Sequence, residues 1–175
     1  IPHSEVKLVF TDQKRFELIK DFQVDIILNG KSFNETTEKC YDSWPVENAS
    51  DEDYAVLLYT SGSTGVPKGV MLSHLSLINA LLGFVSYGEI FKKITGDNLL
   101  EAENASVIVN VPLFHVTGLV TQFLLSMLAK RNLFLIHKWD PLEALELIDK
   151  FKVTNISGVP TQSWELLNHP DVDNY

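Results

Sequence analysis

The sequence predicts an α/β fold, a largely parallel sheet covered by helices. Two observations carry that expectation. Short runs rich in Val, Ile, Leu and aromatic residues alternate along the chain with stretches of helical period. Most of the connections between them are long enough to hold a helix, which parallel neighbours require. Composition agrees: 175 residues at 45% hydrophobic and 21% charged suit an ordinary globular chain with a sizeable core.

Residues 6–11 read as the first strand. Asp12 is placed to cap a helix carrying Phe16, Ile19 and Phe22 along one side, and residues 24–28 form a second strand closed by Asn29 and Gly30. Residues 31–53 read as an acidic linker. Between Asn34 and Asp53 seven acidic residues stand against Lys39, which accounts for −6 of the net charge of −9. Residues 54–59 make the next strand, and a glycine-rich loop leads into the short apolar run 70–72. Ser73 is a natural N-cap for a helix running to about Tyr87. The polar, mixed stretch 88–105 reads as a surface excursion.

Residues 106–111 are a strong strand candidate closed by Pro112, followed by a helix over about 118–130 and a strand over 133–137. Asp140, Pro141, Leu142 and Glu143 spell the clearest helix start in the chain. Asp caps, Pro takes the first helical position where its missing N–H costs nothing, and Glu143 completes a capping box. Leu142, Leu145, Ile148 and Phe151 give that helix its apolar stripe. Residues 154–159 form the last strand, and a final helix holds Trp164, Leu166 and Leu167.

The charge pattern offers no basic face for nucleic acid. The lone cysteine, Cys40, excludes an intrachain disulfide framework and a cysteine-rich metal site, and implies a reduced, cytoplasmic setting. The greasiest stretches, 75–85 and 118–129, are interrupted by polar residues and fall short of the ~20 residues a bilayer span needs, so no transmembrane segment is expected. Peripheral membrane association is left open. The Asn-x-Ser/Thr triplets at Asn34, Asn48, Asn104 and Asn155 read as coincidence without a secretory signal. A start at Ile1, with a strand close behind, suggests that residues 1–175 are a partial domain cut from something larger.

Chemistry concentrates in residues 60–69. Three glycines, four hydroxyl side chains, one proline and Lys68 follow directly on a strand. Glycines let backbone N–H groups converge, hydroxyls add donors and can reach Mg²⁺, and a lysine supplies a point charge for phosphoryl oxygens. A flexible linker is a poor alternative for a loop so set between ordered elements. The P-loop template G-x-x-x-x-G-K-[ST] does not fit, because Pro67 precedes Lys68 and Gly69 follows it.

The run Thr60, Ser61, Gly62, Ser63, Thr64, Gly65, Val66, Pro67, Lys68, Gly69 closely resembles the signature loop of the adenylate-forming enzymes, among them acyl-CoA synthetases, luciferase-like enzymes and adenylation domains. His74 suits the same pattern. About fifty residues on, Pro112, Leu113, Phe114 and His115, with Gly118, resemble the family's next motif. Gly158, Val159, Pro160 and Thr161 echo the strand end that borders the acyl pocket. The fatty-acyl branch is the nearest in character.

The resemblance implies part of the family's large N-terminal domain, and an activity. A carboxylate attacks the α-phosphate of MgATP to give an acyl-adenylate, and coenzyme A then displaces AMP. Thr60, Ser61, Gly62, Ser63, Thr64, Gly65 and Lys68 would grip the departing phosphates, with Thr60 nearest Mg²⁺. Lys68 and His115 are the expected catalytic residues. Phe114, His115, Gly158, Pro160 and Thr161 would border the acyl site.

For His115 the alternative is a polar residue in the turn after Pro112, but strand-end loops are where α/β folds place chemistry. Phe114 could equally pack. His3, His137 and His169 read as surface or strand-end residues, and Trp139 and Trp164 as core or rim packing. The family's Tyr-Gly-x-Thr-Glu stretch and lid lysine are missing, and Thr95-Gly96-Asp97 spells the ribose motif far too early. A segment of this extent, roughly a third of a family member, is not expected to catalyse alone. Two other readings stand: a non-catalytic nucleotide-binding or scaffold module, and an adenylation domain for aryl or amino acids.

Overall fold

The structure, a computed structural model, describes residues 4–28, 48–62, 65–96 and 104–175. The chain divides into two compact units, Ile1–Ala49 and Ser50–Tyr175. Most of the acidic stretch, with Cys40, His3, Asn29 and Gly30, lies outside the described residues.

In the first unit, β1 (Leu8–Thr11) pairs in parallel with β2 (Asp25–Leu28), with Leu8 opposite Asp25 and Thr11 opposite Leu28. Asp12 caps as expected, its Oδ1 accepting from the Arg15 N–H at 2.8 Å. The helix is much shorter than its apolar spacing suggested. α1 is only Gln13–Phe16, and tight turns such as Phe22 N–H to Ile19 C=O carry the chain onward.

The second unit holds two sheets. β3 (Tyr54–Thr60) and β4 (Lys68–Ser73) form an antiparallel hairpin around the glycine loop, closed by the pair Thr60 and Lys68. Ser73 then caps α2 (His74–Thr95), its Oγ accepting from the Ser76 N–H at 3.2 Å. α2 runs well past Tyr87. It stops where Gly96 adopts φ +81° and donates to the Lys92 carbonyl, so Thr95-Gly96 spells a helix C-cap. At 22 residues α2 is, by length and composition, long and apolar enough to cross a membrane, which corrects the shorter length expected of that stretch.

The other sheet is parallel, in the order β6 (Asn132–Leu135), β5 (Ser106–Val109), β7 (Asn155–Ile156). A central strand flanked on both sides needs apolar residues on both faces, and every residue of β5 is buried. Ile108 packs with Ala144, Leu145 and Leu166, the first two from α4 (Pro141–Phe151) and the last from α5 (Pro160–Leu167). Burying an isoleucine completely there contributes on the order of 2 kcal/mol.

Asp140 starts α4 as expected, its Oδ1 accepting from the N–H groups of Leu142 at 2.9 Å and Glu143 at 3.0 Å. The buried stripe is Ala144 and Leu145 backed by Leu147 and Ile148, while Leu142 and Phe151 lie toward solvent. Trp139 packs against this core, but Trp164 is 70% exposed. The helix expected over 118–130 is in its first part a π-helix, Thr117–Leu124, continuing as the short α3 (Leu125–Leu128). An eight-residue π segment is unusual, because the i→i+5 ladder is generally confined to single turns near functional sites.

Candidate functional site

The hairpin tip follows from its glycines. Gly62 and Gly65 adopt φ of +62° and +77°, in the left-handed region that other residues enter only with strain. A Cβ on Gly62 would also strike the Val66 carbonyl oxygen. The Gly65 N–H reaches the Gly62 carbonyl at 3.3 Å, turning the chain back. At the base, the Thr60 hydroxyl donates to the Lys68 carbonyl at 3.5 Å, a long contact that leaves the oxygen's lone pairs available. Lys68 is the first residue of β4 and exposed, so its register is set by strand pairing while its ammonium meets solvent. Ser61 is exposed beside it; Ser63 and Thr64 lie outside the described residues. His74 opens α2, its N–H donating to the Asp53 carbonyl at 3.0 Å.

The second cluster sits at the carboxyl ends of β5 and β7. Pro112 starts a turn in which the His115 N–H donates to the Pro112 carbonyl at 2.9 Å, and the His115 carbonyl accepts from Leu119 at 3.0 Å. The rings of Phe114 and His115 lie side by side, centroids 4.8 Å apart, and both residues are exposed. Gly118 lets the π-helix press onto this turn, since a Cβ there would meet the carbonyl oxygens of Val111 and Pro112. Gly158, Pro160 and Thr161 stand at the neighbouring strand end, where Pro160 opens α5.

Three amides join these turns. Gln122, on the π-helix and fully buried, accepts from the Val111 N–H at 3.1 Å and donates to Asn110 Oδ1 at 2.8 Å and to the Ser157 carbonyl. Asn110 Nδ2 donates onward to Gln162 Oε1 at 2.9 Å, and Gln162 Oε1 also accepts from the Val159 N–H at 3.2 Å. Asn110, Gln122 and Gln162 were not foreseen as site residues. Asn110 stands out as a single polar residue inside an apolar run, whereas Gln122 follows Thr121 and Gln162 lies between Thr161 and Ser163, and their partners are 12, 35 and 52 residues away.

A cleft of about 450 Å³ opens beside these turns, lined from the β5 end by residues 109–114, from the β6 end by residues 135–139, and by Gln162. Of the expected pocket residues it takes in Phe114. The structure thus brings Phe114, His115 and the Gly158–Thr161 turn to one end of the parallel sheet, and places Thr60–Lys68 on a separate hairpin.

A family model described as "AMP-binding enzyme" matches residues 1–175. The chain belongs to that family. This bears out the resemblance read from the loop and from the Pro112–His115 motif. Among relatives, a long-chain-fatty-acid–CoA ligase of Bacillus subtilis is 39% identical over 125 residues, covering 71% of this chain and 21% of the relative. A 4-coumarate:CoA ligase of Petunia hybrida is 29% identical over 185 residues, covering 98% of this chain and 32% of the relative. The crystal structure of ATP-bound MatB from Rhodopseudomonas palustris aligns over 94% of this chain and 32% of its own, with a TM-score of 0.76 and 25% identity. The expected architecture, an α/β piece of an adenylate-forming domain, is therefore correct. The chain spans between about a fifth and a third of the length of these family members.

Proposed function

We propose that this chain is the phosphate-gripping and acyl-binding portion of an acyl-CoA ligase, within one larger AMP-binding domain. The observation that carries the reading is the hairpin tip, where Gly62 and Gly65 in left-handed conformations set backbone groups between Thr60 and Lys68. A carboxylate oxygen attacks the α-phosphorus of ATP, the bond to the bridging oxygen breaks, and pyrophosphate leaves with the electron pair. This step joins two anions, so it needs aimed donors and positive charge. Thr60, Ser61, Gly62, Ser63, Thr64 and Gly65 line the grip, and Lys68 adds the cation. In the second step the thiol of coenzyme A attacks the acyl carbon and AMP departs.

Mg²⁺ enters as part of MgATP. The Thr60 hydroxyl is a hard oxygen donor of the kind Mg²⁺ takes alongside substrate phosphates. No cluster of three or more His, Cys, Asp or Glu side chains that could hold a resident metal occurs among the described residues. His115 would lie beside the bound carboxylate, with Phe114, Gly158, Pro160 and Thr161 bordering the acyl chain.

A fatty acid is the proposed substrate, supported by the 39% identity to a long-chain-fatty-acid ligase. The 4-coumarate ligase match along nearly the whole chain favours an aryl acid as the second reading. The deciding assay is exchange of labelled pyrophosphate into ATP by the full-length protein, driven by a panel of acids. Exchange dependent on a long-chain acid is expected; dependence on hydroxycinnamates instead would transfer the assignment to aryl acids. Absence of exchange with every acid would overturn the ligase reading.

A further inference from the structure

The hydrogen bonds at the end of the parallel sheet form an almost closed circuit. Starting at the Ser157 carbonyl, it passes through Gln122 and Asn110 to Gln162 and returns to the Val159 N–H. Both ends of the turn Ser157-Gly158-Val159 are therefore tied, and the middle residue is a glycine. A Cβ on Gly158 would strike Gln162 Oε1 and come within 2.6 Å of Asn110 Nδ2, so glycine is what lets the circuit pass. The side-chain oxygen Oε1 of the same Gln122 accepts from the Val111 N–H, the last backbone N–H before the turn that presents His115.

Burial raises the stakes of this network. Gln122 is 0% and Asn110 8% exposed, and a buried amide left unpaired costs more than a paired one contributes. The two turns thus cannot shift independently without stranding a polar group. A core built only to be stable would more simply use apolar residues at these sites.

We propose that Asn110, Gln122 and Gln162 are positioning residues that lock the His115 turn and the Gly158 turn to each other, setting the width of the acyl-carboxylate site before substrate arrives. The proposal rests on the ligase reading, and preorganised geometry of this kind acts on binding and orientation of the acid rather than on ATP. None of the three need touch substrate.

Gln162 separates this role from ordinary packing. Gln162→Met keeps length and apolar bulk but removes the acceptor for both Asn110 and Val159. Gln162→Glu keeps that acceptor. In the full-length protein, Gln162→Met is expected to raise the KM for the acid about tenfold in pyrophosphate exchange, with the KM for ATP unchanged. Hydrogen–deuterium exchange should show faster exchange at Val159 in the Met variant and retained protection in the Glu variant. Gly158→Ala, which displaces the Gln162 and Asn110 side chains without removing either, should reproduce the Met phenotype. A Met variant with wild-type acid KM and wild-type protection, alongside a more damaged Glu variant, would overturn the lock and leave a packing role. If the unmodified protein exchanges with no acid, the ligase reading falls with it, while the amide-protection pattern still decides whether the two turns are tied.

Discussion

The hairpin tip and the strand-end turns solve opposite problems with opposite materials. Residues 60–68 are rich in glycine and small hydroxyls; those described among them are mostly exposed, and Gly62 and Gly65 adopt backbone dihedrals that only glycine takes freely. The turns after β5 and β7 are built on the buried amides of Asn110 and Gln122 and the half-buried amide of Gln162, whose bonds cross 12 to 52 residues of sequence. A phosphate grip needs backbone donors that a ligand can take up. A site that must distinguish one carboxylic acid from another needs walls that do not move. On the proposed ligase reading this difference divides the labour, the hairpin tip with Lys68 taking the nucleotide and the locked strand-end turns taking the acid.

Substitution at Gly118 should break the second region outright. A Cβ there meets two carbonyl oxygens of the backbone, which cannot rotate away as a side chain could. Gly118→Ala is expected to lose about 3 kcal/mol of stability, readable as a lowered chemical-denaturation midpoint. Next in size is Lys68→Ala. Loss of a charge-assisted phosphate contact costs roughly 1.5–3 kcal/mol, so pyrophosphate exchange should fall between about tenfold and a hundredfold with folding intact. An unchanged rate would take Lys68 out of the mechanism.

Gly158→Ala should have a milder effect than Gly118→Ala despite a similar clash, because the atoms in the way are the tips of Gln162 and Asn110. The expected cost is about 1.4 kcal/mol, the equivalent of the tenfold rise in acid KM, seen in acid binding more than in melting. Equal destabilisation by the two glycine substitutions would blur the distinction between a backbone contact and a side-chain lock. Smallest for function is Asp140→Ala. It removes the cap of α4, with bonds of 2.9 and 3.0 Å, and should lower stability by about 1 kcal/mol while leaving exchange unaltered.

The two regions also differ in how far the sequence reveals them. The loop at the hairpin tip was legible because its chemistry is local, while the antiparallel pairing of β3 with β4 was not expected of a largely parallel sheet. A strand, a cluster of glycines and hydroxyls, and a lysine all fall within a dozen positions, and the caps at Asp12, Ser73 and Asp140 are local for the same reason. The strand-end lock was not legible. Gln122 sits in a largely apolar run whose spacing suits an α-helix as well as a π-helix, and the amide meets Asn110 from a π-helical segment that this spacing does not announce. In the sequence Gly118 stands only as part of a motif, and its reason, two carbonyls pressed against it, is tertiary. The overrun of α2 to Thr95 and the shortness of α1 have the same origin, since polar composition and apolar spacing alone do not determine where a helix ends.

Measuring the KM for ATP and for the acid separately, in acid-driven pyrophosphate exchange, tests the division of labour most directly. In the full-length protein, Lys68→Ala should alter the ATP side of the reaction and leave the acid KM nearly unchanged. Gln162→Met should do the reverse. Two variants that shift both constants together, by similar factors, would contradict it.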